Sequence, residues 1–240
     1  MKKVNKSAEL LWLFGIIFVA LGVSICSKAN LGVSMIAAPA FIVFEAIENL
    51  WSGFSVGMVE YLIQGVLLVV LCIILRKFNY KFLFAFLVAI IYGFVLDLFL
   101  FIFKDITISY VWLRWVMLIV GDVITAFGVA CYFRTYMPLQ VYELFVSRVS
   151  SNFKLSINKV KWSFDISLLI ISLILSLTLF GDINTFDFST ILYSSFHSIG
   201  LGTIVTTFIN SPIIKMMGYL IDRFFDSGAR FSILKDYFEK

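Results

Sequence analysis

Long apolar runs separated by short basic segments recur along the entire chain, and no other feature restricts the fold as severely. Runs can be drawn over Leu10–Ser27, Val56–Leu75, Phe82–Phe103, Val111–Phe133, Trp162–Phe180 and Ile191–Ile209, each of 18 residues or more. As helices rising about 1.5 Å per residue, such runs are long enough to cross a hydrocarbon core of about 30 Å. The chain has 240 residues, 61% of them hydrophobic and 14% charged, where a soluble domain carries about a quarter charged residues. A water-soluble fold has nowhere to put so much apolar surface. The sequence therefore predicts an all-α integral membrane protein whose solvent is the lipid bilayer. The basic segment Met1 to Lys6 ahead of the first run also suits a secretory signal, but the run outlasts a signal core of about 7–15 residues.

The basic residues sort by side. With alternation from a cytoplasmic start, sixteen Lys and Arg residues, among them Lys2, Arg76, Arg134, Lys154, Lys161, Lys215 and Lys240, fall on the cytoplasmic side. Only three, Lys28, Lys104 and Arg114, fall outside. This positive-inside bias predicts six spans with both termini in the cytoplasm. Trp12, Trp51, Tyr80, Tyr110, Trp112, Trp115 and Trp162 stand at run ends, where amphipathic rings prefer the headgroup level. The net charge of +4 thus reports topology, and no nucleic-acid partner is expected. Cys26, Cys72 and Cys131 lie inside runs without CxxC spacing and read as packing residues. One histidine makes a three-histidine metal centre impossible. Hydrolase, metalloprotease and P-loop motifs are absent from the sequence, so neither enzyme activity nor a cofactor is expected.

Two stretches are too short for ordinary spans: Met35 to Leu50 after the first run, and Val141 to Val149 after the fourth. Each reads as a helix dipping into the membrane or lying at its surface. They belong to an internal repeat. A shift of 106 residues superposes Phe14–Ser34 on Val120–Gln140, matching Gly15 with Gly121, Ala20 with Ala126, Gly22 with Gly128 and Lys28 with Arg134. At a shift of 101, Ser55, Val59 and Tyr61 meet Ser156, Val160 and Trp162. Three spans per half means that the second copy enters from the opposite side. The expected fold is six transmembrane helices in two inverted three-helix repeats within a single membrane domain, 10–104 and 111–225, each with a short re-entrant or interfacial helix, followed by a cytoplasmic tail, 226–240. Transporters recurrently use this plan and bind their ligands at the broken segments.

The stretch Leu21-Gly-Val-Ser-Ile-Cys-Ser-Lys-Ala-Asn-Leu-Gly-Val-Ser34, the second-half Ala126-Phe-Gly-Val-Ala130, and Gly200-Leu-Gly-Thr-Ile204 with Pro212 downstream resemble the YczE/YyaS/YitT group of bacterial multipass membrane proteins. The resemblance covers nearly the whole chain and implies a bacterial plasma-membrane protein of five or six spans. It brings no catalytic residue.

An ionisable side chain within a bilayer costs roughly 2.5–3.5 kcal/mol on insertion scales, so each one needs a reason. Asp97 in the third run, Asp122 in the fourth and His197 in the sixth are the candidates, read as one proton-exchanging or cation-binding cluster. The sixth run is rich in hydroxyls and amides, including Thr203 and Asn210, and is expected to line a watery path before Asn210-Ser-Pro212 breaks it. A surface-lying amphipathic stretch, Ile213 to Phe225, should follow. Lys28 and Arg134, equivalent in the repeat and each preceding a short helix, suggest an anionic ligand at helix N-termini. The expected activity is small-molecule transport, proton-coupled, with an unspecified substrate. The competing readings are a non-transporting accessory or signalling protein and the substrate-capture subunit of an energy-coupling-factor transporter, which needs an ATPase partner.

Overall fold

A computed structural model describes residues 8–51, 53–180, 198–225 and 228–239. Its helices are α1 (Ala8–Lys28), α2 (Ala38–Ile47), α3 (Val56–Leu75), α4 (Phe82–Ile102), α5 (Val111–Tyr132), α6 (Val141–Phe153), α7 (Ile157–Phe180), α8 (Leu201–Phe224) and α9 (Ser232–Glu239). Among the described residues six helices, α1, α3, α4, α5, α7 and α8, are long and apolar enough to cross a membrane. Their outward faces suit lipid. Leu62, Val66, Val69 and Ile73 on α3, and Leu83, Leu87, Ile91, Phe94, Leu98 and Phe101 on α4, are exposed at spacings of three or four that draw one stripe per helix. The chain is a multi-pass membrane protein.

The runs and helices agree closely for the first four spans and depart in the last two. α7 begins at Ile157, not at Trp162, and so draws Lys161 out of the expected loop into the protein interior. It does so because Asp165, one turn later, supplies a countercharge within the same helix. The sixth span is Leu201–Phe224 rather than Ile191–Ile209, and it continues through Pro212 instead of breaking there. Proline removes one N–H, but transmembrane helices tolerate that loss where neighbouring groups re-satisfy the freed carbonyl. The expected surface helix Ile213–Phe225 is thus mostly the second half of α8. The start of the predicted run, including His197, lies outside the described residues.

α1 and α5 form the central pair. They cross antiparallel on glycine: a Cβ on Gly22 would stand 2.5 Å from Gly121 O, and one on Gly128 would stand 3.1 Å from Gly15 O. α4 packs on α1 and α8 packs on α5. α2 lies against α3 and α7, while α6 lies against the same two helices. The chain between α1 and α2 is largely buried, with Ala29, Leu31, Val33, Met35 and Ala37 inside. It is held by pairing with the segment before α8: Val33 N donates to Ser198 O (3.0 Å) and Gly202 N to Leu31 O (2.9 Å). Gly32 takes φ +102 there, and a Cβ would collide with Thr203 and Gly200, so only glycine fits. Met35 and Ile36 at this turn meet Tyr142 and Val146 of α6 and Phe164 and Leu168 of α7 in one apolar cluster.

The C-terminal segment caps the end of the bundle that holds Arg134. Glu9 accepts from Tyr136 Oη and from the backbone of Arg230 and Phe231. Lys81 Nζ donates to Tyr237 O, and Phe84 packs on Tyr237 and Phe238 of α9.

Candidate functional site

Polarity is reversed inside the bundle. α3 turns Glu60 and Gln64 inward, α5 Asp122, α6 Glu143, and α7 Lys161 and Asp165, all between 0% and 4% exposed. The packing sets their depth. Gly57 backs onto Gly93, where a Cβ would meet the carbonyl at 2.1 Å, so Glu60 on the next turn stands opposite the middle of α4. Asp122 is at the midpoint of α5. The Trp162 ring packs edge-on against Phe208, with centroids 5.7 Å apart, which brings Lys161 beside the first half of α8.

These side chains form one continuous polar interior. Lys161 Nζ donates to Asp165 Oδ1 at 2.5 Å. Asp122 and Glu143 each lie within electrostatic reach of both members of that pair. Glu143 is in turn within reach of Glu60, which has Gln64 and Tyr142 beside it. Four carboxyl groups and one amine thus share the interior. Both oxygens of Glu60 and of Asp122, both polar atoms of Gln64 and of Asn210, Glu143 Oε2 and Asp165 Oδ2 have no protein partner. Native structures leave few buried polar groups unpaired, and such groups mark sites that something else completes.

Of the residues that the sequence singles out, Asp122 and Asn210 are fully buried. Asp97 is not part of this interior. It accepts from Ser55 Oγ (2.6 Å) and Gly57 N (2.8 Å) and so anchors the first turn of α3, where Ser55 Oγ also accepts from Met58 N. Thr203 is buried, but its hydroxyl closes the start of α8 by accepting from Gly200 N (3.4 Å). Its carbonyl takes the hydroxyls of Thr206 and Thr207 (3.1 and 2.7 Å), so much of the polarity of α8 is spent within the helix. Lys28 and Arg134 stand at opposite ends of the α1–α5 pair. Lys28 Nζ donates to Lys104 O at 3.2 Å. Arg134 grips Asp222 with two bonds of 2.6 and 2.7 Å and lies over Gly218, a bidentate clamp between α5 and α8.

Glu60, Gln64, Lys161 and Asp165 are members that the sequence reading passes over. Glu60 lies inside the second run and carries the same signal as Asp122, obscured by its nearness to the run's start. Lys161 and Asp165 are spaced i, i+4 on the face that later presents Ser172 and Ser176, a pattern visible once the helix is extended back to Ile157.

Two clefts flank the interior. One of about 500 Å³ at the Lys28 end is lined by Lys28, Asn30, Phe41, Phe44, Glu45 and Val56, among others. Val56 precedes Glu60 by one helical turn. A smaller cleft of about 170 Å³ at the other end is bounded by Lys81, Tyr136, Pro138, Arg148 and Phe238.

The sequence pattern of a family of unknown function, DUF6198, matches residues 6–219. No curated protein and no solved structure matches the chain.

Proposed function

The chain belongs to the DUF6198 family, and from its own residues we propose that it is a proton-coupled small-molecule transporter of the bacterial plasma membrane, with both termini in the cytoplasm. The observation that carries this reading is the buried interior of four carboxyl groups and one lysine, inside a bundle whose outer surface is apolar. Ionisable groups at membrane depth are costly and are kept chiefly along substrate, ion and proton paths. Asp122 takes the coupling proton in this reading: its carboxyl lies within electrostatic reach of the Lys161–Asp165 pair, so protonation alters which acid the ammonium serves.

The proposal includes an inverted-repeat architecture. What supports it is that α2 and α6 each lie between α3 and α7, that α1–α4 packing has its counterpart in α5–α8 packing, and that the glycines at the α1–α5 crossing are those the repeat aligns. The Gly15 contact with the Tyr132 ring and the Gly121 contact with Cys26 are also images of each other under the shift of 106. Glu60 and Gln64 map at a shift of 101 onto Lys161 and Asp165, so each half contributes an i, i+4 polar pair. α2 and α6 are then the re-entrant helices, and the halves are 10–104 and 111–225. Kinship with the YczE/YyaS/YitT group belongs to the same proposal.

Protein reconstituted in liposomes tests it. Uptake of a metabolite panel, with and without an imposed pH gradient, should reveal a substrate whose movement carries protons. Asp122→Asn should insert and fold but lose that proton movement. Undiminished proton movement in Asp122→Asn would remove the carboxyl from the mechanism.

A further inference from the structure

The half of the polar interior nearest the larger cleft has a chemistry of its own. Glu60 and Glu143 lie within electrostatic reach of each other, on the packed helices α3 and α6, among three tyrosines. Tyr142 adjoins both acids, Tyr92 lies near both, and Tyr132 lies near Glu143. All five, with Gln64, are at most 2% exposed. Their polar atoms are nevertheless open: Glu60 Oε1 and Oε2, Glu143 Oε2, Gln64 Oε1 and Nε2, Tyr132 Oη and Tyr142 Oη have no hydrogen-bond partner. Gln64, an amide enclosed on α3 beside Glu60, is likewise left without a hydrogen-bond partner at either end.

A partner that donates hydrogen bonds and brings positive charge would complete these groups. Carboxylate and amide oxygens accept, and the hydroxyls accept as well as donate. The one basic side chain near them among the described residues, Lys161, is held by Asp165 and shared with Asp122 and Glu143, so the acids outnumber the basic group that serves them. An anion would be repelled by the acids when they ionise, and water supplies hydrogen bonds but no charge. The described residues hold no group of three His, Cys, Asp or Glu side chains that could hold a metal ion. Tyrosine rings beside paired acids suit an organic cation, which gains from ring faces as well as from carboxylates.

We propose that Glu60 and Glu143, enclosed by Gln64, Tyr92, Tyr132 and Tyr142, form an occluded site for a small organic cation bearing N–H donors, an alkylammonium or arylammonium. The cleft lined by Val56 ends one helical turn from Glu60. This deepens the transport reading and rests on it for the site's use, while binding itself needs no transport.

The test is equilibrium binding of radiolabelled methylammonium and benzylammonium to the full-length protein in detergent, at constant ionic strength, with benzoate and benzyl alcohol as competitors of opposite and zero charge. Saturable binding of one of the two ammonium probes is expected, unaffected by either competitor. Glu60→Gln and Glu143→Gln should each weaken it by about tenfold or more, roughly the loss of one charge-assisted contact. Should a glutamate variant fail to fold, Tyr142→Phe, which keeps the ring and removes the hydroxyl, should still weaken binding measurably. Absence of saturable binding of both ammonium probes, equal binding by the Glu60→Gln/Glu143→Gln double variant, or displacement by benzoate would overturn the assignment. Ammonium binding without flux in liposomes would instead remove the transport reading and leave the site standing. Flux of another solute without ammonium binding would do the reverse.

Discussion

Single side chains divide here into those that hold the bundle and those that the bundle holds. Asp97 belongs to the first kind: its two bonds to Ser55 and Gly57 fasten the start of α3. Asp97→Ala is expected to cost about 1–3 kcal/mol, the range for losing hydrogen bonds to a charged group, read as a lower unfolding midpoint in detergent. Proton coupling in liposomes should be unchanged by it, and a selective loss of coupling with stability intact would contradict this division. Lys161 is of the second kind, since its ammonium is the nearest countercharge for three buried acids. Removing one partner of a buried pair leaves a stranded charge and costs about 3–5 kcal/mol. Lys161→Met should therefore destabilise severely, and Lys161→Met/Asp165→Leu should recover much of the loss. A double variant no more stable than the single one would mean that the remaining acids, Asp122 and Glu143, rely on the lysine more than Asp165 does.

Helices here meet through small residues because lipid offers no hydrophobic drive for association, so close backbone approach must supply it. The α1–α5 crossing depends on Gly15, Gly22, Gly121 and Gly128, and a Cβ on Gly22 would stand 2.2 Å from Thr125 Oγ1 and 2.5 Å from Gly121 O. The obstacle is partly backbone and cannot rotate away. Gly22→Val is predicted to abolish a monodisperse folded species in detergent, whereas Gly53→Ala, where a Cβ meets nothing within 4 Å, should elute and unfold like the parent. Equal behaviour of the two would show that α1 and α5 do not pack this closely. The same four glycines are legible as a spaced pattern, which is how the repeat is found. Their pairing, Gly15 with Gly128 and Gly22 with Gly121, needs the antiparallel crossing to be seen.

At the scale of the whole molecule the proposed topology is open to direct measurement. Single cysteines at Asn49 and Asp105 should react with an impermeant maleimide on intact cells, and those at Asn79 and Lys154 only after lysis. The native Cys26 and Cys131 are buried and should stay silent, with Cys72 replaced by serine. External labelling at Lys154 would sink the six-span arrangement. Composition and run length alone determined that this is a multi-pass membrane protein and where its first four spans lie, because twenty apolar residues in a row have one economical solution in lipid. Asp122 was legible for the same reason, as a polar group deep within such a run. Only the tertiary structure decided that Asp97 is an anchor, that Lys161 is interior and that Glu60 and Glu143 are buried in the same interior. The cost of a charge at membrane depth depends on which side chains surround it, and those come from α3, α6 and α7, which meet through packing that no single run encodes.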